Sequence, residues 1–174
     1  MNNLEIKELS LDYTKQISNF QTYELELKRF LIEDAQNDQN QRISKTFLIL
    51  KSNSLVGYIT LSSDSLRVDG DLKGYFKDKN IFYKTLPALK IGRLAVDERY
   101  QRQGFGKMLV ELALIFSKQI YSKYCGCRFL ILDAKRNSDS NKDSIHFYKK
   151  LNFKILKERA KGTIPMYLDT VIEN

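Results

Sequence analysis

The sequence contains no continuous apolar run long enough to cross a bilayer, and its first ten residues mix Glu and Lys among the apolar positions. No signal peptide or membrane span is expected, and the chain reads as a soluble, cytoplasmic protein. Cysteine is scarce: Cys125 and Cys127 are the only two. One residue apart, with no neighbouring histidine or further cysteine, they make a poor metal site and read as packing and turn residues. No metal is expected. Histidine occurs once, as His146. There is no Gly-Lys-Ser/Thr run and no third glycine at dinucleotide spacing, which excludes a P-loop and a dinucleotide fingerprint. No RNA-binding signature is present either.

What is there fits one domain spanning 1–174, large enough to bury a core, with 43% apolar residues. The formal charge of +8 is unevenly spread. Residues 1–90 carry 13 Lys+Arg against 12 Asp+Glu, whereas residues 91–174 carry 16 against 9. The basic half suits a phosphate-bearing ligand and an acidic partner such as RNA; it equally fits a solvated basic surface, because net charge steers association without specifying it.

The organising stretch is Ile91 to Lys107, Ile-Gly-Arg-Leu-Ala-Val-Asp-Glu-Arg-Tyr-Gln-Arg-Gln-Gly-Phe-Gly-Lys. It reads as an apolar strand, a polar turn and the start of a helix. The first turn of a helix leaves N–H groups unpaired and carries partial positive charge, so an anion can rest there. Gly104 and Gly106 let a phosphate approach the backbone, and Arg99, Arg102 and Lys107 add full charges. A tight strand-to-helix turn with no ligand is the competing reading.

Taken in order, Leu4 to Leu9 reads as a first strand. A helical stretch from Thr22 to Gln41 repeats Tyr23, Leu27, Phe30, Leu31 and Ala35 on one face. Lys45–Lys51 and Ser54–Leu61 form a strand pair around Ser52-Asn53. Between Ser62 and Thr85 the pattern is lost; a connection this long is either functional or partly ordered into something short. Pro87 opens a strand to Val96, expected to be covered on both faces, and a helix runs from Gly104 to Lys123. Cys127–Ala134 is a buried strand, a short helix runs from about Asp143 to Leu151, and strands at Phe153–Leu156 and Ile164–Leu168 close the chain. The fold class is α/β (α+β) with a mixed sheet.

Gln101-Arg102-Gln103-Gly104-Phe105-Gly106, following Arg-Leu-Ala-Val, resembles the Gln/Arg-x-x-Gly-x-Gly/Ala signature of the GNAT acetyltransferase superfamily. His146-Phe147-Tyr148-Lys149-Lys150-Leu151-Asn152-Phe153 is similar to that family's Phe-Tyr-x-x-x-Gly-Phe helix end, with Asn152 in the place of Gly. Asn is the next best residue for the left-handed position that ends a helix. The resemblance covers most of the chain from about Thr46 onward. It implies a three-layer fold whose central, mostly antiparallel sheet splays at an acyl-CoA cleft. It further implies that acetyl-CoA is the cofactor, held by the backbone at Leu94, Ala95 and Val96 and by the Gln101, Arg102, Gln103, Gly104, Phe105, Gly106 and Lys107 loop. Asn137 or Ser138 would contact the pantetheine or phosphate arm. Tyr148 would protonate the departing thiolate, for which a phenol of pKa about 10 is suited; a tyrosine on an amphipathic helix can otherwise be core packing.

No acid stands on the strand before the loop, where many family members place a glutamate. Asp97 and Glu98 lie past its end and read as turn caps, and His146 points away from Tyr148. A lysine acceptor, of pKa about 10.4, needs a base, whereas an α-amine at about 7.7–8.0 is already partly neutral near pH 7, and that of an aminoacyl ester, its carboxylate masked, should be lower still. The first expectation is an N-acetyltransferase acting on a small-molecule or protein amine. The second follows from a resemblance of Ile91 to Asp97 and the Tyr-Gln loop to the toxins that acetylate aminoacyl-tRNA, with Arg93 as an acceptor-side cation; Arg102 departs from that branch, which has glycine there. A non-catalytic acyl-CoA sensor ranks third. The C-terminal strands, including Pro165 to Leu168, offer an edge for a homodimer, although an edge proline also guards against pairing.

Overall fold

In the computed structural model, which describes residues 4–136 and 144–171, Ser52 and Asn53 both take left-handed backbone angles, φ 47° and 64°. This double reversal matches the twist of the strands it joins. It connects β2 (Lys45–Lys51) to β3 (Ser54–Arg67), with β1 (Leu4–Glu8) antiparallel on the far side of β2. The pair is sealed inside by the hydroxyls of Thr46 and Thr60, 2.8 Å apart and both buried. Leu4 and Ile6 remain 39% and 46% exposed, so the apolar positions of β1 face solvent.

The chain divides into two compact units, 1–62 with 91–113, and 63–90 with 114–174. In the first, α1 (Thr14–Ser18), α2 (Leu25–Arg29), a π-helical stretch (Phe30–Asp34) and α3 (Ala35–Asn40) cover the sheet. Their core gathers Phe20, Phe30, Leu31 and Ala35 around Leu48 and Tyr58, whose hydroxyl donates to the Leu27 carbonyl at 2.7 Å. Tyr23 is 69% exposed, unlike the rest of the stripe on which its spacing placed it.

The stretch 62–85, unpatterned in the sequence, is ordered in the second unit. β3 continues to Arg67 and α4 (Gly70–Lys77) follows. Leu66, Val68 and Phe76 bury themselves with Leu86, Ala88 and Phe129, so distant partners supply what local periodicity does not. β4 (Thr85–Val96) contributes its first half to this unit and its second half to the other. Pro87 lies inside the strand rather than at its start. α5 (Phe105–Lys123), β5 (Phe129–Lys135), α6 (Ser144–Lys150), β6 (Lys154–Ile155) and β7 (Thr163–Asp169) complete the order.

The strands hydrogen-bond as β1-β2-β3-β4-β5-β7-β6, a seven-stranded, mostly antiparallel sheet flanked by helices. β7 is therefore not an edge: Pro165 stands opposite Asp133 of β5, and its carbonyl accepts from Leu156 N–H at 2.8 Å. The edge is the two-residue β6. Among the described residues no helix is long and apolar enough to cross a membrane, and no cluster of His, Cys, Asp and Glu is arranged to hold a metal ion. Cys125 is exposed; Cys127 is buried with its sulfur 3.3 Å from Ser117 Oγ.

Candidate active site

In the first unit, β4 ends against β3. A Cβ built on Gly57 would come within 2.9 Å of the Ala95 carbonyl oxygen and 3.2 Å of Leu109 Cδ1, so only glycine lets β4 and α5 lie this close. Sequence reasoning missed Gly57, although an isolated glycine within a strand signals such an approach. Ala95 is buried, while Leu94 and Val96 are half-buried. The strand is thus less covered toward its end than its apolar sequence predicts.

Asp97, fully buried, turns the chain out of β4. Its Oδ1 accepts from Arg99 N–H at 3.0 Å and Arg99 Nε at 2.8 Å. Its Oδ2 accepts from Gln21 N–H at 2.9 Å and Arg99 Nη2 at 2.7 Å. Burial by itself would raise its pKa, but the Arg99 side chain and the two backbone N–H groups outweigh that and hold the carboxyl below its usual range. Asp97 is the cap of a short 3₁₀ turn over Glu98–Tyr100 and not a free base.

The turn then delivers the loop. Arg102 and Gly104 both take left-handed angles, φ 59° and 89°. Reversals of this kind are the backbone geometry from which anion-binding nests are built. Arg102 accordingly occupies a backbone conformation that favours glycine. The first helical hydrogen bond is Met108 N–H to Gly104 carbonyl at 3.0 Å, so the N–H groups of Phe105, Gly106 and Lys107 precede it and have no partner within the helix. Gln101, Arg102, Gln103, Gly104 and Lys107 are exposed, and Gly106 is half-buried. Lys107 is shared with Glu111 at 3.6 Å. Phe105 is buried edge-on to Tyr100, centroids 6.2 Å apart, with Lys51 Nζ 5.8 Å from the Phe105 ring. No sequence signal singled out Lys51, since β2 and the loop are far apart in the chain.

Arg93 is half-buried over the Phe30 ring at 5.0 Å, on the π-helical stretch, and its Nη1 donates to the Gly92 carbonyl at 2.9 Å. Its Nε is buried without a hydrogen-bond partner among the described residues.

Tyr148 belongs to the second unit. It is 8% exposed on α6, its ring edge-on between Phe147 and Phe153 at 5.0 and 5.5 Å. α6 ends as its sequence predicts. Asn152 is left-handed at φ 65°, its N–H reaches the Lys149 carbonyl, and Phe153 N–H reaches the Tyr148 carbonyl at 3.1 Å. This is a Schellman ending, and it fixes the aromatic cluster around Tyr148. His146 is exposed. Asn137 and Ser138 lie outside the described residues.

The sequence profile described as "Acetyltransferase (GNAT) family" matches residues 6–153. Among solved structures, AtaT complexed with acetyl-methionyl-tRNAfMet is 24% identical, with 97% of this chain and 95% of that one covered and a TM-score of 0.77. A tyrosine-to-phenylalanine mutant of KacT is 24% identical over 98% and 96%, with a TM-score of 0.74. A tyrosine-to-phenylalanine mutant of the AtaT toxin, bound to the C-terminus of the antitoxin AtaR and to acetyl-CoA, is 21% identical over 97% and 94%, with a TM-score of 0.72. These likenesses establish the fold. No curated protein sequence matches the chain.

Proposed function

This chain belongs to the acetyltransferase (GNAT) family, and from that premise we propose that it moves an acetyl group from acetyl-CoA to the α-amine of an aminoacyl-tRNA. Acetyl-CoA supplies the thioester. The nest at Arg102 and Gly104 and the open N-terminus of α5 suit its pyrophosphate, and the half-buried backbone at Leu94, Ala95 and Val96 suits its pantetheine. The amine lone pair forms the new C–N bond as the C–S bond breaks. Tyr148 gives its phenolic proton to the departing sulfur, and the amine proton passes to solvent, which restores the phenol by relay.

The observation that carries the choice of acceptor is the engagement of Asp97. β4 bears no acid, and the carboxylate just beyond it is spent on Arg99 and Gln21. An amine that arrives largely neutral needs no such base, and the α-amine of an aminoacyl ester meets that condition better than a lysine. The fold shared with AtaT, solved with acetyl-methionyl-tRNAfMet, supports the same acceptor. The reading carries a protein partner that restrains the activity, as AtaT is bound by the antitoxin AtaR.

The test is thiol release from acetyl-CoA with charged tRNA, uncharged tRNA and a panel of small and peptide amines, for the native chain and Tyr148→Phe. Release with charged tRNA alone, sharply reduced in the variant, is expected. Release with a small amine instead overturns the acceptor. Binding of acetyl-CoA with no release by any acceptor leaves a sensor and overturns the enzyme.

A further inference from the structure

Four large aromatic side chains of the second unit are turned to solvent: Phe82 is 70% exposed, Tyr83 73%, Tyr121 73% and Tyr124 80%. They come from two segments that meet. Phe82 and Tyr83 precede β4, and Tyr121 in the last turn of α5 and Tyr124 just past its end precede β5. The starts of those strands are joined where Arg128 N–H donates to the Pro87 carbonyl at 2.9 Å. A Cβ on Gly126 would touch the Pro87 ring at 3.4 Å. Single exposed aromatics need no explanation, but four at one end of a sheet do.

Uncommitted positive charge lies among them, although Asp69 and Asp169 nearby are each paired with an arginine. Lys84, Lys118 and Lys123 are exposed and form no ion pair among the described residues, and no acid occurs between Glu111 and Asp133. Like charges oppose burial of this face against a second copy, and the interleaved lysines oppose an apolar protein partner. A polyanion with flat faces fits both features, because bases stack on aromatic rings irrespective of sequence and phosphates pair with lysine.

We propose that Phe82, Tyr83, Tyr121 and Tyr124 form an RNA-stacking face, the contact by which the second unit engages unpaired bases of its tRNA acceptor. It rests on the aminoacyl-tRNA reading above and adds a binding surface to it.

The test is fluorescence anisotropy of end-labelled deacylated tRNA with the full chain over a series of salt concentrations. Replacing both Tyr121 and Tyr124 by Ala is expected to weaken binding at least tenfold. Replacing both by Phe keeps the rings and should restore it. Lys118→Gln with Lys123→Gln should flatten the salt dependence, by a slope of about 1.5. Thermal melting of each variant controls for folding, which these exposed positions should not disturb. The face is overturned if the Ala pair binds as the native chain does, if the Phe pair loses as much as the Ala pair, or if the native chain does not bind tRNA. It is also overturned if light scattering shows the Ala pair splitting a native dimer. Acetylation of charged tRNA, followed in parallel, separates the two ideas. Native acetylation with unchanged binding by the Ala pair sinks the face alone, whereas ring-dependent binding with no acetylation of any charged tRNA sinks the acceptor alone.

Discussion

The turn after β4 and the end of α6 show how differently two regions of one protein hold the residues proposed to bind and to react. Around the turn, the Asp97 side chain is occupied with building, accepting four hydrogen bonds, and the binding proposed for the exposed loop beyond it rests on the left-handed backbone at Arg102 and Gly104. At the end of α6 the backbone is occupied, tied into a Schellman ending, and the proposed chemistry rests on the Tyr148 side chain. Substitutions in the first region should therefore act through stability and cofactor affinity, and in the second through rate.

Tyr148→Phe is the strongest attack on that contrast. Loss of the proton donor should lower kcat by about 10²-fold or more while acetyl-CoA affinity and the melting temperature stay near native, since the contacts with Phe147 and Phe153 need only the ring. Unchanged kcat with a collapsed melting temperature would reverse the roles of the two regions.

Asp97→Asn should come next, costing about 2–3 kcal/mol in urea unfolding at pH 7, because a fully buried carboxylate loses its pairing with Arg99. Its pH dependence sharpens the point. The folded carboxyl is held below its usual value, so its stabilisation is complete above the unfolded range near pH 4 and is lost as pH falls through the lower folded value. The native chain should thus lose stability on acidification to pH 3 more steeply than the variant does. A variant as stable as native at pH 7 but slower in turnover would mark Asp97 as a base after all.

Smaller effects belong to the nest. Gly104 sits at φ 89° with open space around it, so Gly104→Ala meets conformational strain alone. About 1 kcal/mol of stability and several-fold weaker acetyl-CoA binding by calorimetry are expected. Arg102→Gly should do least to the fold. Relief of the left-handed strain at φ 59° is offset by the freedom glycine gains on unfolding, leaving a change within about 1 kcal/mol and a modest loss of cofactor affinity from the missing charge. A loss beyond 2 kcal/mol, on the scale of the Asp97 pairing, would show the Arg102 side chain to be structural and erase the distinction between turn and loop.

The features legible in the sequence share one property: they are written in a few adjacent residues. Ser52-Asn53 makes its tight reversal, Asn152 ends α6, and the glycine spacing before α5 opens a nest, because each depends on local backbone angles and nearest hydrogen bonds. Those determinants, and the family likeness that rests on them, need nothing from the rest of the chain. Burial and commitment were decided elsewhere. Leu66 and Phe76 order the stretch 62–85 only by meeting Phe129, Pro165 is interior to the sheet because β6 pairs beyond it, and Tyr23 leaves its helical stripe for solvent. Asp97 reads as a turn cap in the sequence, but its complete burial and the bond from Gln21, 76 residues earlier, belong to the fold. Periodicity and turn chemistry are properties of a segment, but whether a group is covered or paired depends on distant neighbours, which only the tertiary structure supplies.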